Sequence, residues 1–324
     1  MANVLVVGGA GYIGSHMMKA LVKGGHDATA YDNLSTGHSD AVLYGNLTIG
    51  CLSDVSRLKS ILIEGQFDAV MHFAANIEVQ ESVLNPRKYY ENNVMNSLRL
   101  IHTMMDCAVS RLIFSSTAAI YGEPLRTPIK EDAAISPVNP YGRTKAMIEA
   151  ALSDYRESYG FASTSLRYFN AAGADLEREL GERHHPESHL IPLVIQTALG
   201  RRPHIDVYGD DHATPDGTCI RDYVHVSDLC SAHLLALEQL LGGAMGCSYN
   251  LGNGCGFSVR EVIESVKKIS RRNFPVNVVG KREGDPAVLV ADASRATREL
   301  GWIPRFACID EIVSSAWNFF SSER

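Results

Sequence analysis

Tyr141 and Lys145 stand four residues apart in NPYGRTK, directly after Pro140. On a helix that spacing places both side chains on one face. In free solution neither group is reactive at neutral pH, with ordinary pKa values of about 10 and about 10.4. A cationic nicotinamide ring near the lysine ammonium would favour the phenolate, and a shift of about three units corresponds to about 4 kcal/mol. The tyrosine then serves as a general base. Thr117, in FSSTAAIYG after an apolar run, is placed to hydrogen-bond the same substrate hydroxyl. A hydride would pass to the nicotinamide while the proton passes to Tyr141.

The dinucleotide that this chemistry needs has its own signature. GGAGYIG supplies Gly8, Gly11 and Gly14, preceded by the apolar NVLVV and followed by a helical pattern. Glycines there permit a tight turn and let backbone N–H groups at a helix start approach a pyrophosphate. Asp32 closes the next apolar run, DATAYD, 18 residues past Gly14. A carboxylate at that point accepts from both adenosine ribose hydroxyls and repels a 2′-phosphate, which selects NAD over NADP.

These residues require a particular scaffold. Apolar runs at 3–7, 27–32, 68–74, 111–116 and 165–169 alternate with helical stretches near 12–24, 86–107 and 141–159. That rhythm predicts an α/β fold, a Rossmann-like doubly wound parallel sheet covered by helices. Ile148, Leu152, Tyr155 and Tyr159 continue the stripe of Tyr141 and Lys145, so both point inward. Past about residue 170 the pattern changes to a polar loop and shorter elements. The expected division is an NAD-binding domain over 1–170 and a smaller C-terminal α/β substrate lobe over 171–324, with some segments returning to the first domain.

Composition narrows the classes further. The 324 residues are 45% hydrophobic and 21% charged with net charge −7, a balance of ordinary globular proteins. No Lys or Arg run forms a phosphate-backbone footprint, so nucleic acid is not an expected partner. The amino terminus lacks the basic start and cleavage site of a signal peptide, and no apolar run approaches the roughly 18 residues of a membrane span. Seven cysteines without a C-x-x-C pair point to free thiols in a reducing cytoplasm. His184 and His185 sit in a charged loop without a recognisable ligand cluster, and no metal is expected.

GGAGYIGSH, DNLSTG, HFAA, YYENNV, FSSTAAIYGE, PYGRTK, LRYFNAAGA, GTCIRDYVHVSDL, YNLGNG and KREGDPA, in this order across nearly the whole chain, resemble the extended short-chain dehydrogenase/reductase family, nearest its UDP-sugar 4-epimerase branch. The resemblance implies a tightly held NAD+ that takes a hydride from C4 of a UDP-hexose and returns it to the opposite face, without net redox change. It implies Tyr141 as base, Lys145 on the nicotinamide ribose and Thr117 as an aid to proton movement. Tyr12 and Ile13 would lie at the pyrophosphate, and Asp32 and Asn33 at the adenosine ribose. Leu34, Ser35, Thr36, Gly37, Cys51, Leu52, Phe73, Ala74, Ala75, Asn92, Tyr168 and Phe169 would follow the rest of the dinucleotide. Asn170, His189, Leu190, Tyr208, Arg221, Tyr223, Arg282 and Asp285 would hold the UDP-sugar. A homodimer through the helices near 86–107 and 141–159 is implied by the same resemblance.

Several positions depart from the family pattern. Cys51 replaces an aspartate that receives the adenine amino group, weakening that contact by up to about 1–1.5 kcal/mol. Ile77 stands where some members have a pyrophosphate-binding lysine, and His189 where others have asparagine. Leu289 is of middle size at the boundary of the sugar pocket, so UDP-hexose, UDP-N-acetylhexosamine and UDP-pentose all remain open. Ala118 and Ala119 cannot transfer protons, which argues against a 4,6-dehydratase. A non-catalytic dinucleotide sensor is the alternative of a different class, and such proteins commonly lack the tyrosine or lysine retained here.

Overall fold

The computed structural model describes residues 1–282 and 286–322. Strands β1 (Asn3–Val7), β2 (Asp27–Asp32), β3 (Asn46–Ile49), β4 (Ala69–His72), β5 (Arg111–Thr117) and β6 (Ala162–Tyr168) join the strand Ser248–Leu251 in one seven-stranded sheet. Every pairing in it is parallel. The order runs Ser248–Leu251, β6, β5, β4, β1, β2, β3. The chain therefore winds outward from β1 in one direction and, from β4, in the other. The carboxyl ends of β1 and β4 flank the point of reversal, where α/β sheets form their crevice.

Alternation along β1 explains why both faces are covered. Val4 and Val6 pack with Met17, Met18 and Leu21 of helix α1 (Tyr12–Lys23) and with Leu229, Leu237 and Leu240 of the helix Val226–Leu241. Leu5 and Val7 face the other way, towards Leu58, Leu62, Leu100, Ile101, Ile148 and Leu152. Each such side chain contributes about 1.5–3 kcal/mol on burial, and a one-residue slip would reverse every contact.

Two strands go beyond the five apolar runs. Asn46–Ile49 is an edge strand with a half-exposed pattern, so it lacks a long apolar signal. Ser248–Leu251 reaches β6 only after the chain has built much of the second lobe, and the helix Val226–Leu241 returns with it to the sheet. The helix expected over 86–107 is also interrupted. It consists of Pro86–Tyr89, a π-helical turn Tyr90–Met95 and Asn96–Asp106. Asn93 anchors this turn: its Oδ1 accepts from Asn76 N at 2.8 Å and its Nδ2 donates to Asn76 O and Thr144 Oγ1. The inward stripe of the helix Pro140–Tyr159 includes Ile148 and Leu152, whereas Tyr159 is 66% exposed.

The second lobe has its own core, with Ile191, Val194, Val262, Val266, Ile312 and Phe319 from the helices Leu190–Ala198, Val259–Ser270 and Ile309–Ser322. Its three-stranded sheet sets Ile220–Arg221 between Phe257–Ser258 and Val288–Leu289. Among the described residues, no helix is long and apolar enough to cross a membrane.

Candidate active site

The turn after β1 is stripped to backbone. Gly8 adopts φ +83°, and a Cβ there would come within 2.6 Å of Ala74 N; at Gly14 a Cβ would lie 2.0 Å from Gly8 O. Gly11 caps α1 without a side-chain bond, and no acidic residue occupies the first turn. An exposed helix N-terminus of that kind fits a pyrophosphate. A cleft opens beside it, lined by Gly8, Gly11, Asp32, Asn33, Ser35, Thr36, Gly37, Cys51, Leu52, Phe73, Ala74, Ala75 and Asn92 among others.

Asp32 is buried at the end of β2, where its Oδ2 accepts from Ala10 N at 3.0 Å and its Oδ1 from Leu34 N at 2.8 Å. Each carboxylate oxygen keeps a further lone-pair site, which is what a ribose diol requires. Leu34 holds the turn at φ +57° rather than lining the cleft. Burial opposes ionisation of the Cys51 thiol, but bonds from Ser53 and Asn33 outweigh it and draw its pKa below the ordinary value. Tyr12 lies outside the cleft lining; its hydroxyl donates to Gly173 O at 2.6 Å, and Ile13 packs against the core beneath the loop. These residues fit an adenine dinucleotide.

The proposed proton-transfer groups gather at the end of β5. Thr117 is buried there, and its Oγ1 accepts from Ala119 N at 3.2 Å. Pro140 opens the next helix, Asn139 caps it by accepting from Gly142 N at 2.8 Å, and Tyr141 is thereby brought near Thr117, whose hydroxyl acts on the phenol. Burial raises the Tyr141 phenol above its ordinary pKa, with the Thr117 hydroxyl pulling the other way. Lys145, buried, donates from Nζ to Ser115 O at 2.7 Å. Burial brings its ammonium down to about 7, against the opposing charge of Glu149. Among the protein's own groups, desolvation dominates at Tyr141 and Lys145 turns to a carbonyl, whereas the acidified phenol expected from the sequence includes the nicotinium ring as a second cation.

A buried polar network beneath this pair escapes sequence reasoning. Glu149 accepts from Ser116 Oγ at 2.5 Å and pairs with Arg167 Nη2 at 2.6 Å; Arg167 Nη1 also donates to the Tyr121 hydroxyl at 2.8 Å, which in turn donates to Asn250 Oδ1 at 2.7 Å. Two signals are present in the chain: Glu149 lies one turn beyond Lys145, and Arg167 interrupts an otherwise uncharged strand. Tyr168 and Ser115 are also hydrogen-bonded side chain to side chain.

On the second lobe, Asn170 starts a short strand paired in register with Tyr223. Tyr223 itself is 4% exposed within the lobe's core, so it supports the site rather than lining it. Leu289 pairs with Arg221 and, like Phe169, packs against the cluster of Ala118, Ile120, Tyr121 and Ile129, which brings the lobe's sheet to the turn after Thr117. The Arg282 guanidinium lies 3.7 Å over the centre of the Tyr208 ring. Leu190 begins the helix capped by His189, whose Nδ1 faces Glu182 and Glu187 at 2.9 Å. Burial disfavours the charged imidazole there, but those two carboxylates outweigh it and raise its pKa. Asp285 lies outside the described residues.

Residues 4–252 match the model of the NAD dependent epimerase/dehydratase family. The chain belongs to that family. Within it, the chain is 47% identical over 317 residues to a UDP-glucose 4-epimerase of Rhizobium leguminosarum bv. trifolii, covering 98% of this chain and 97% of that protein. The fold is similar to the crystal structure of UDP-glucose 4-epimerase from Brucella ovis in complex with NAD, with TM-score 0.96, 47% identity and 98% of each chain covered. It is also similar to the UDP-Glc/GlcNAc 4-epimerase of Campylobacter jejuni, with TM-score 0.86, 42% identity and 99% of each chain covered.

Proposed function

We propose that this family member is an NAD-dependent UDP-glucose 4-epimerase, interconverting UDP-galactose and UDP-glucose through a transient 4-keto sugar. The observation that carries the reading is the gathering of Thr117, Tyr141 and the buried Lys145 at the end of β5, where Lys145 Nζ donates to Ser115 O and Thr117 draws on the Tyr141 phenol. NAD+, held by the glycine turn and Asp32, supplies the acceptor and later the donor of the C4 hydride.

Tyr141 removes the proton from the sugar's 4-hydroxyl and returns it, while Thr117 aligns that hydroxyl. Lys145 serves as a donor towards the nicotinamide ribose, fixed by its bond to Ser115. Arg221 and the stacked Arg282–Tyr208 pair hold the nucleotide diphosphate. Anchoring the UDP alone leaves the sugar able to turn and present its opposite face. Leu289, against the cluster of Ala118, Ile120, Tyr121 and Ile129, borders the space into which an N-acetyl group would project, and the similarity to a UDP-Glc/GlcNAc enzyme supports UDP-N-acetylhexosamines as the second substrate class.

The seven free thiols support a cytoplasmic setting. Exposed Met95 and Met147, at 47% and 49%, support a homodimer through their helices; a monomer mass by light scattering overturns that assembly. The test of function is incubation of the NAD-replete protein with UDP-galactose, its N-acetylated form and UDP-pentoses without added oxidant. UDP-glucose formation supports the reading. No epimer from any of these sugars overturns it and leaves the sensor.

A further inference from the structure

Glu182, His184, Glu187 and His189 converge just ahead of the helix Leu190–Ala198. Their donor atoms all lie within 4.8 Å of one another. Glu182 Oε1 is 3.0 Å from His184 Nδ1 and 2.9 Å from His189 Nδ1, and Glu187 Oε1 is 2.9 Å from His189 Nδ1. In a tetrahedral site with bonds of about 2.0–2.2 Å, neighbouring donors are separated by about 3.3–3.5 Å. A slight outward movement of these side chains makes room for an ion at their centre.

Charge gives the cluster a reason to hold one. The Glu182 and Glu187 side chains are only 4% and 6% exposed, and their charge is offset by the two imidazoles and, at Glu187 Oε1, by the N–H groups of Ser188 and His189 at 2.8 Å, places where a cation could stand in for the imidazole protons. A divalent cation balances both carboxylates, with two neutral imidazoles completing the shell. A mixed nitrogen and oxygen set suits zinc rather than magnesium or calcium, which favour oxygen alone.

We propose that Glu182, His184, Glu187 and His189 form a structural site for a zinc-class divalent cation. All four positions are filled by protein donors, so the ion holds structure rather than activating water. The segment it would fasten touches three separate parts of the chain: the His184 ring meets Tyr12 edge-on at 6.3 Å, Ser188 Oγ donates to Glu78 Oε1 at 2.9 Å, and His38 Nε2 lies 2.9 Å from Arg183 O. The test measures metal rather than turnover.

Tag-free protein, its thiols first blocked with N-ethylmaleimide, is loaded with zinc chloride, dialysed against metal-free buffer and measured by plasma mass spectrometry. The wild type should retain about one zinc per chain, and His184→Asn/Glu187→Gln less than about a fifth of that. Equal retention by the two, or none by the wild type, overturns the site. Circular dichroism establishes that the variant is folded. If it is not, anomalous scattering at the zinc edge from wild-type crystals decides: a peak among the four side chains supports the site, and its absence there overturns it.

Discussion

Lys145 Nζ donates to the Ser115 carbonyl at 2.7 Å, tying the helix Pro140–Tyr159 to the end of β5 two residues before Thr117. The bond fixes where the ammonium sits relative to Tyr141, but it is bought with burial, which lowers the lysine pKa to about 7 from 10.5.

That burial makes stability depend on pH. Below about 7 the folded protein holds a desolvated ammonium. Between about 7 and 10.5 the unfolded chain binds a proton that the folded one has released, so this group's contribution to stability rises with pH across that window and levels off above it. Lys145→Met, freed of NAD, should melt several degrees above the equally treated wild type at pH 6. The gap should close as pH approaches 10, as read by calorimetry, and a gap independent of pH would contradict the assignment. The same variant should lose activity at least about 100-fold.

Tyr141→Phe removes the proton acceptor and leaves the UDP-binding groups in place. Its kcat should fall at least about 1000-fold with KM for UDP-galactose within about threefold of wild type. Thr117→Val should cost about 10- to 100-fold in kcat. Steady-state kinetics at saturating NAD measure both, and a tyrosine variant retaining a third of wild-type turnover would remove Tyr141 from the mechanism.

Gly8→Ala tests the cradle. The φ of +83° and the 2.6 Å approach to Ala74 N force either the turn or the neighbouring strand end to move. Purified variant should carry less than about a tenth of the wild-type NAD, measured by chromatography after denaturation. Full occupancy would show that the dinucleotide does not approach this turn.

Cys51→Asp restores a strong acceptor where Ser53 Oγ already donates at 3.0 Å and Asn33 Nδ2 lies 3.9 Å away. NAD loss on dilution should slow about three- to tenfold, in line with one added hydrogen bond. An unchanged release rate would mean that the adenine amino group does not reach position 51.

The local chemistry was legible in the chain because it depends on neighbours in sequence. Glycine spacing, an aspartate at a strand end and a tyrosine four residues from a lysine are each set by one turn or one helical face, and they sufficed for the doubly wound class and the dinucleotide. What they could not reveal lies in contacts between distant segments. Ser248–Leu251 becomes a sheet strand only because β6 offers it a paired edge. The π turn at Tyr90–Met95 is set by Asn93 bonding to Asn76 and Thr144, and Glu149 finds Arg167 only once helix and strand are stacked. The direction of the Tyr141 and Lys145 shifts belongs to the same class. Spacing establishes that two charges can meet, whereas burial, decided by the whole fold, determines which proton each one keeps.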